Sequence, residues 1–130
     1  MLYCPEPGSE TAQKLLVAQP RLAVSGLTEV ELMSAISRKV RERGLTRRDA
    51  GRIAALYREH VAGGSYRLLR LESADFEWAA GTIGRFDNRL RTLDALHLAV
   101  VVRESLKLAT ADRVLADAAK EFGIKVTHVR

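Results

Sequence analysis

Three acidic residues, Glu31, Asp94 and Asp112, each stand in or at the predicted first turn of a helix in a chain that is otherwise basic. Carboxylates gathered in one place suit a hard divalent cation, Mg2+ or Mn2+. Such an ion prefers oxygen ligands and keeps several waters, one of which can be activated to attack a phosphodiester. Each acid also has an ordinary structural reading. Thr28-x-x-Glu31 matches a capping box, in which the glutamate reaches back to the cap amide and contributes about 1 kcal/mol. Asp94 follows Thr92 in a first helical turn, where a negative side chain gains about 0.3–1 kcal/mol from the helix dipole. Asp112 precedes Val114, Leu115 and Ala118 and is a natural N-cap.

Their conjunction shifts the balance toward a site. Glu31 and Asp112 both lie just beyond the carboxyl ends of short buried strands, the edge at which open α/β sheets bind ligands. Asp94 sits among Leu93, Leu96, Leu98, Val100 and Val101, so most of its surface is expected to be buried, and its carboxylate then needs a cation or donors. His97, three residues on, could hold Asp94, act as a general base, or simply fill the core. Thr110 could order a metal-bound water beside Asp112 or satisfy backbone. Arg85, Arg89 and Arg91 immediately precede the Asp94 helix, where they could hold substrate phosphates. A second basic cluster, from Arg38 to Arg52, surrounds a helix-turn-helix junction and could follow a phosphate backbone or form a solvated face. His60 and His128 show no ligand spacing.

The elements that must position these residues alternate. A helix capped by Ser9 and closed by Pro20 is followed by a strand at Leu22-Ala23-Val24-Ser25. Thr28 then caps a helix ended by Gly44, and Thr46 caps another with Ala50, Ile53, Ala54, Leu56 and Tyr57 inward. A strand is expected near Tyr66 to Leu71, helices over Ser73 to Ile83 and Thr92 to about Val102, and a strand over Leu106 to Thr110. Asp112 opens the last long helix, Gly123 stops it, and Lys125 to Val129 is a final strand. The alternation predicts an α/β layered domain with a largely parallel sheet and a protruding helical pair from about Thr28 to His60.

At 130 residues and 47% apolar composition the chain can bury one core. A net charge of +5, from 21 Lys+Arg against 16 Asp+Glu, favours a polyanionic partner. One cysteine, Cys4, excludes an internal disulfide framework and fits a reducing cytoplasm. No apolar run approaches the roughly 20 residues of a membrane span. With 5% aromatic residues, base stacking is not expected to dominate recognition.

Four segments, taken in order, resemble the PIN-domain ribonucleases, in particular the toxin of VapBC-type toxin-antitoxin pairs. They are Pro5-Glu6-Pro7-Gly8-Ser9-Glu10, Val24-Ser25-Gly26-Leu27-Thr28-Glu29-Val30-Glu31-Leu32, Leu90-Arg91-Thr92-Leu93-Asp94-Ala95-Leu96-His97-Leu98-Ala99 and Thr110-Ala111-Asp112. The resemblance implies one PIN-like domain over residues 1–130, of three-layer α/β/α architecture, and Mg2+- or Mn2+-dependent cleavage of RNA. It places Glu31, Asp94 and Asp112 in the family's acidic cluster, and it implies homodimers and a cognate antitoxin bound across the site.

The chain departs from that pattern at its start. The family's first strand ends in an Asp upstream of the Glu-Pro-Gly-Ser segment, whereas Glu6 is already the sixth residue and Met1-Leu2-Tyr3 corresponds to the tail of the family's first helix. The expectation is therefore a sheet without its middle strand and a site one acid short, with Glu6, Glu10 or Glu29 as substitutes. A late start, a sheet repaired by rearrangement or strand exchange, or a degenerate copy would each account for it. Two functional readings compete: a metal-dependent endoribonuclease, and a PIN-like module that binds RNA or an antitoxin without cutting. A phosphoryl-accepting regulatory domain is a weaker third.

Overall fold

The structure, a computed structural model, describes residues 1–6 and 22–128. The helix expected from Ser9 to Pro20 lies outside those residues. Five strands, β1 Leu2–Tyr3, β2 Leu22–Ser25, β3 Tyr66–Leu69, β4 Lys107–Thr110 and β5 Val126–His128, form one sheet in the order β3-β2-β1-β4-β5. Every pairing is parallel. The described helices are α1 Gly26–Arg41, α2 Arg47–Ala62, α3 Ser73–Ile83, α4 Thr92–Arg103 and α5 Arg113–Glu121.

The middle of the sheet is not empty: Leu2–Tyr3 fills it, in keeping with the repair by rearrangement allowed for above. Leu2 pairs with Leu22 on one side and Lys107 on the other, and Tyr3 with Ala23 and Leu108. The Cys4 amide donates to the Ala23 carbonyl (2.9 Å), and Pro5, which has no amide to donate, follows the strand. Met1-Leu2-Tyr3 is thus extended rather than helical, and two flanking ladders compensate for its short length.

Strict alternation divides the strands between two cores. Tyr3, Ala23, Leu69 and Leu108 face Leu98 and Val101 of α4, Leu115 and Ala119 of α5, and Trp78 of α3. Leu2, Cys4, Leu22, Val24, Tyr66 and Ala109 face Tyr57 and Val61 of α2 and Leu32 of α1. Helices therefore cover both faces, giving the three layers. The α1–α2 pair projects more than its sequence pattern suggests: of the residues expected inward on α2, Tyr57 is buried but Ile53 and Leu56 are exposed. Among the described residues no helix is long and apolar enough to cross a membrane.

One buried ion pair locks α4 to α3. Arg103 donates from Nε to Oδ1 of Asp75 (2.8 Å) and from Nη2 to Oδ2 (3.1 Å) and to the Arg70 carbonyl (2.9 Å), while the Glu72 amide also donates to Oδ2 (2.9 Å). Asp75 is 1% exposed, so losing the guanidinium leaves a nearly dry carboxylate short of donors. Arg103→Met is expected to cost about 3 kcal/mol in urea unfolding, and adding Asp75→Asn should recover a large part of that loss. A single variant as stable as wild type would show that the pair does not anchor α4.

Candidate active site

The carboxyl edge of the sheet gathers the acids. From β1 the chain passes through Cys4 and Pro5 to Glu6; β2 runs directly into α1, which carries Glu31; β4 ends at Thr110, two residues before Asp112. Asp94 arrives from the first turn of α4. Half-buried, its carboxyl is held above the ordinary range, first by burial and then by the negative charges of Asp112 and Glu31, with His97 and Arg91 partly offsetting them. Glu6 is raised too, mainly by burial; Asp112 adds to the shift, and the Thr110 hydroxyl, the Ala111 backbone and His97 oppose it. The four acids named so far therefore share one field.

Local geometry decides which structural roles these acids also fill. The capping box expected at Thr28-x-x-Glu31 is displaced by three residues: the N-cap of α1 is Ser25 (φ −118°, ψ 174°), and Thr28 at N3 accepts from the Ser25 amide (3.3 Å). Because the last residue of β2 doubles as the cap, Glu31 lies in the second turn and is released from capping. Asp112, in contrast, is an N-cap, its Oδ1 accepting from the amides of Val114 (2.9 Å) and Leu115 (3.2 Å). Thr110 Oγ1 accepts from the Asp112 amide (3.0 Å) and donates to Oε1 of Glu6 (2.8 Å), so this hydroxyl ties the two acids together.

His97 does not hold Asp94, as its spacing suggested. It is 2% exposed, with Nε2 bonded to Oε1 of Glu31 and Nδ1 to the hydroxyl of Tyr3, which in turn contacts Oγ of Ser25 (2.8 Å). Neither Tyr3 nor Ser25 was named as a site residue from the sequence: Tyr3 was assigned to a helix tail, and Ser25 entered only as a strand end and as part of the Val24–Leu32 segment. The arginines separate as well. Arg91 occupies the N-cap position of α4, and its charge pulls Asp94 down. Arg89 lines a groove of about 400 Å3 with Asp94, Leu90 and Asp117. Arg85 instead pairs with Asp87 (3.3 Å) and lies over the Phe122 ring. A larger groove of about 640 Å3 runs along α1 from Glu31 past Ser34 and Ala35 to Arg38 and Lys39, with Leu93 at its side.

A hard divalent ion fits this donor set in kind: all are oxygen acids, and Asp94 is destabilised by two like charges that a cation would neutralise. Among the described residues, no three acid, histidine or cysteine side chains converge closely enough to share one ion directly. Mg2+ is commonly held by one or two carboxylates with waters completing its sphere, so an ion here would rely on water for much of its coordination.

A family profile for the PIN domain matches residues 1–121. Ribonuclease VapC46 of Mycobacterium tuberculosis (strain ATCC 25618 / H37Rv) is 32% identical over 124 residues, spanning 93% of this chain and 84% of that protein. Among solved structures, VapC20 of Mycobacterium tuberculosis, a toxin that cleaves the sarcin-ricin loop, aligns with a TM-score of 0.68 at 16% identity, covering 91% of this chain and 95% of that one. VapBC2 from Rickettsia felis, bound to a DNA fragment from its promoter, aligns with a TM-score of 0.66 at 10% identity over 100% of both chains. At such identities the two structures speak to the fold alone.

The crowding of acids has a thermodynamic signature. Because the folded-state value of Asp94 is raised, its contribution to stability is present below the unfolded carboxyl pKa and is lost as pH rises through the folded value. Asp94→Asn is therefore expected to raise the melting temperature of the protein in EDTA at pH 7, by a few degrees, and to leave it unchanged at about pH 3, where both states are protonated. A melting temperature at pH 7 that does not rise would contradict the destabilisation of the Asp94 carboxylate by burial and by its acidic neighbours.

Proposed function

The chain belongs to the PIN-domain family, and from that premise we propose that it is a metal-dependent endoribonuclease, the toxin of a toxin-antitoxin pair. It hydrolyses RNA phosphodiesters at the edge formed by Glu31, Asp94 and Asp112, with Mg2+ or Mn2+ as cofactor. The observation that carries this reading is the electrostatic coupling of Asp94 to both Asp112 and Glu31 at the carboxyl edge of a parallel sheet. The ribonuclease VapC46 relative, alignable over most of both chains, supports the same chemistry.

When bound, the divalent ion supplies charge neutralisation at the phosphate and a water acidic enough to attack near neutral pH. Glu31, Asp94 and Asp112 are the residues proposed to hold it, in part through its bound waters, with Glu6 joined to Asp112 through Thr110. Asp94, which burial and the charges of Asp112 and Glu31 hold above its ordinary range, is the carboxylate that would gain most from the ion's charge. Arg91 and Arg89 flank Asp94 and are suited to phosphate oxygens; Arg85, engaged with Asp87, contributes to the approach rather than the centre. Single-stranded RNA entering along α1 would meet Arg38 and Lys39 before the acids.

The same reading covers the partners and compartment. Residues 1–130 act as one domain in the cytoplasm, where RNA is available, as a homodimer held in check by a cognate antitoxin that places basic side chains among the acids. The exposed α1–α2 pair supplies part of the dimer or antitoxin surface. A second reading, a PIN-like module that binds without cutting, draws on the spacing of the acids among the described residues and on the occupation of Asp112 Oδ1 by its own helix.

Cleavage of a labelled single-stranded RNA in millimolar Mn2+ separates the two. The nuclease reading expects turnover that EDTA abolishes and that falls by more than about 100-fold in Asp94→Asn and in Asp112→Asn. Turnover surviving both substitutions would sink this site. Salt-sensitive RNA binding with no turnover would favour the silent module.

A further inference from the structure

We propose that His97 is the positioning residue for Glu31, itself oriented by a buried hydrogen-bond chain through Tyr3 and Ser25; this inference rests on the metal-site reading above. The chain joins four elements: Ser25 at the end of β2, Tyr3 of β1, His97 of α4 and Glu31 of α1. Ser25 and Tyr3 are 0% exposed and His97 is 2% exposed, whereas the Glu31 side chain is 35% exposed. It therefore runs from the dry centre of the sheet to the wet edge.

With Glu31 ionised and a single proton on the imidazole, donor chemistry fixes its direction. An ionised carboxylate only accepts, so Nε2 of His97 must carry the proton bonded to Glu31. With the imidazole neutral, Nδ1 can then only accept, and its donor is the Tyr3 hydroxyl. That hydroxyl has spent its proton, so it receives one from Ser25 Oγ. Burial keeps the phenol protonated by raising its pKa. Each proton points toward Glu31, the carboxylate whose charge reaches Asp94.

A histidine that merely fills a core needs no carboxylate at one nitrogen and no oriented phenol at the other. Here both nitrogens are bonded to side chains distant in sequence, and one partner is a proposed ligand. The arrangement restricts a flexible glutamate before any ion arrives, which reduces the ordering cost of ligation.

The test exploits the reach of two amides. In His97→Gln the side-chain nitrogen occupies the place of Nε2 and can still donate to Glu31; in His97→Asn the amide reaches only as far as Nδ1. Mn2+ affinity of the full chain is measured by titration calorimetry, with thermal melting as the folding check. His97→Gln, which keeps the donor to Glu31 but loses the Tyr3 contact, is expected to bind no more than about 10-fold more weakly than wild type, and His97→Asn about 10-fold more weakly again. Equal affinities in the two variants, whether both normal or both weak, would overturn the proposal in favour of a core role. Should Asn at position 97 prevent folding, Tyr3→Phe carries the test, because it keeps the ring and removes only the donor. Affinity weakened by about 3- to 10-fold then supports the chain, and wild-type affinity overturns it. Asp94→Asn distinguishes the underlying reading: if it binds Mn2+ as well as wild type does, the metal site itself fails, independently of His97.

Discussion

Tyr3 is completely buried in the middle of the sheet, and a buried phenolic hydroxyl must find partners or cost the fold its desolvation. It finds Ser25 and His97. That single requirement couples the sheet centre to the helices on either side, because Ser25 begins α1 and His97 belongs to α4. A one-residue slip of β1 would send Tyr3 to the α1–α2 face and Leu2 toward His97, breaking the connection. At its far end α4 is fixed again, by Arg103 on Asp75. The helix that presents Asp94 is thus pinned by one polar network near the site and another remote from it.

The acids at the edge are held in tension by the same architecture. Helix N-termini carry partial positive charge, and Asp94 and Asp112 stand in the first turn and at the cap of α4 and α5. Burial first, and then Asp112 and Glu31, raise Asp94, while His97 and Arg91 offset part of that shift. The structural role of Asp112 is compatible with its proposed one: capping positions the carboxylate within reach of the field it shares with Asp94. A site built in this way favours ligand at the expense of stability without it, as preorganised sites commonly do.

Much of the fold was legible in the sequence. Helix Ser73–Ile83 was read to the residue, and the strands at Leu22–Ser25 and near Thr110 followed from short apolar runs bounded by turn and cap residues. The failures have physical causes. Leu2–Tyr3 is too short to show a period of two, and what makes it a strand is pairing with partners about 20 and 105 residues away. Thr28-x-x-Glu31 imitated a capping box because the true cap, Ser25, looked like the end of a buried strand; it is both. Ile53 and Leu56 looked internal from helical spacing, but α2 has too little sheet beneath it to bury them. For the proposed site, the sequence offered the three acids from strand ends and helix starts as candidates only, whereas the Tyr3–His97–Glu31 contact was not offered at all, since its members are dispersed along the chain and meet only through the sheet order.

The groove on α1 shows why a basic protein can carry an acidic centre for a polyanion. Glu31 and Arg38 are seven residues apart, two helical turns, which places them on one face at an axial separation of about 10 Å. A nucleic-acid strand lying along that face meets attraction at Arg38 and Lys39 and repulsion at the acids until a cation intervenes. Long-range attraction from the +5 chain brings the strand to the helix; the acids refuse its phosphates until their own charge is neutralised. On the proposed function, affinity and chemistry would fall two turns apart on one helix, with Glu31 the residue that the buried chain from Tyr3 is proposed to hold in place.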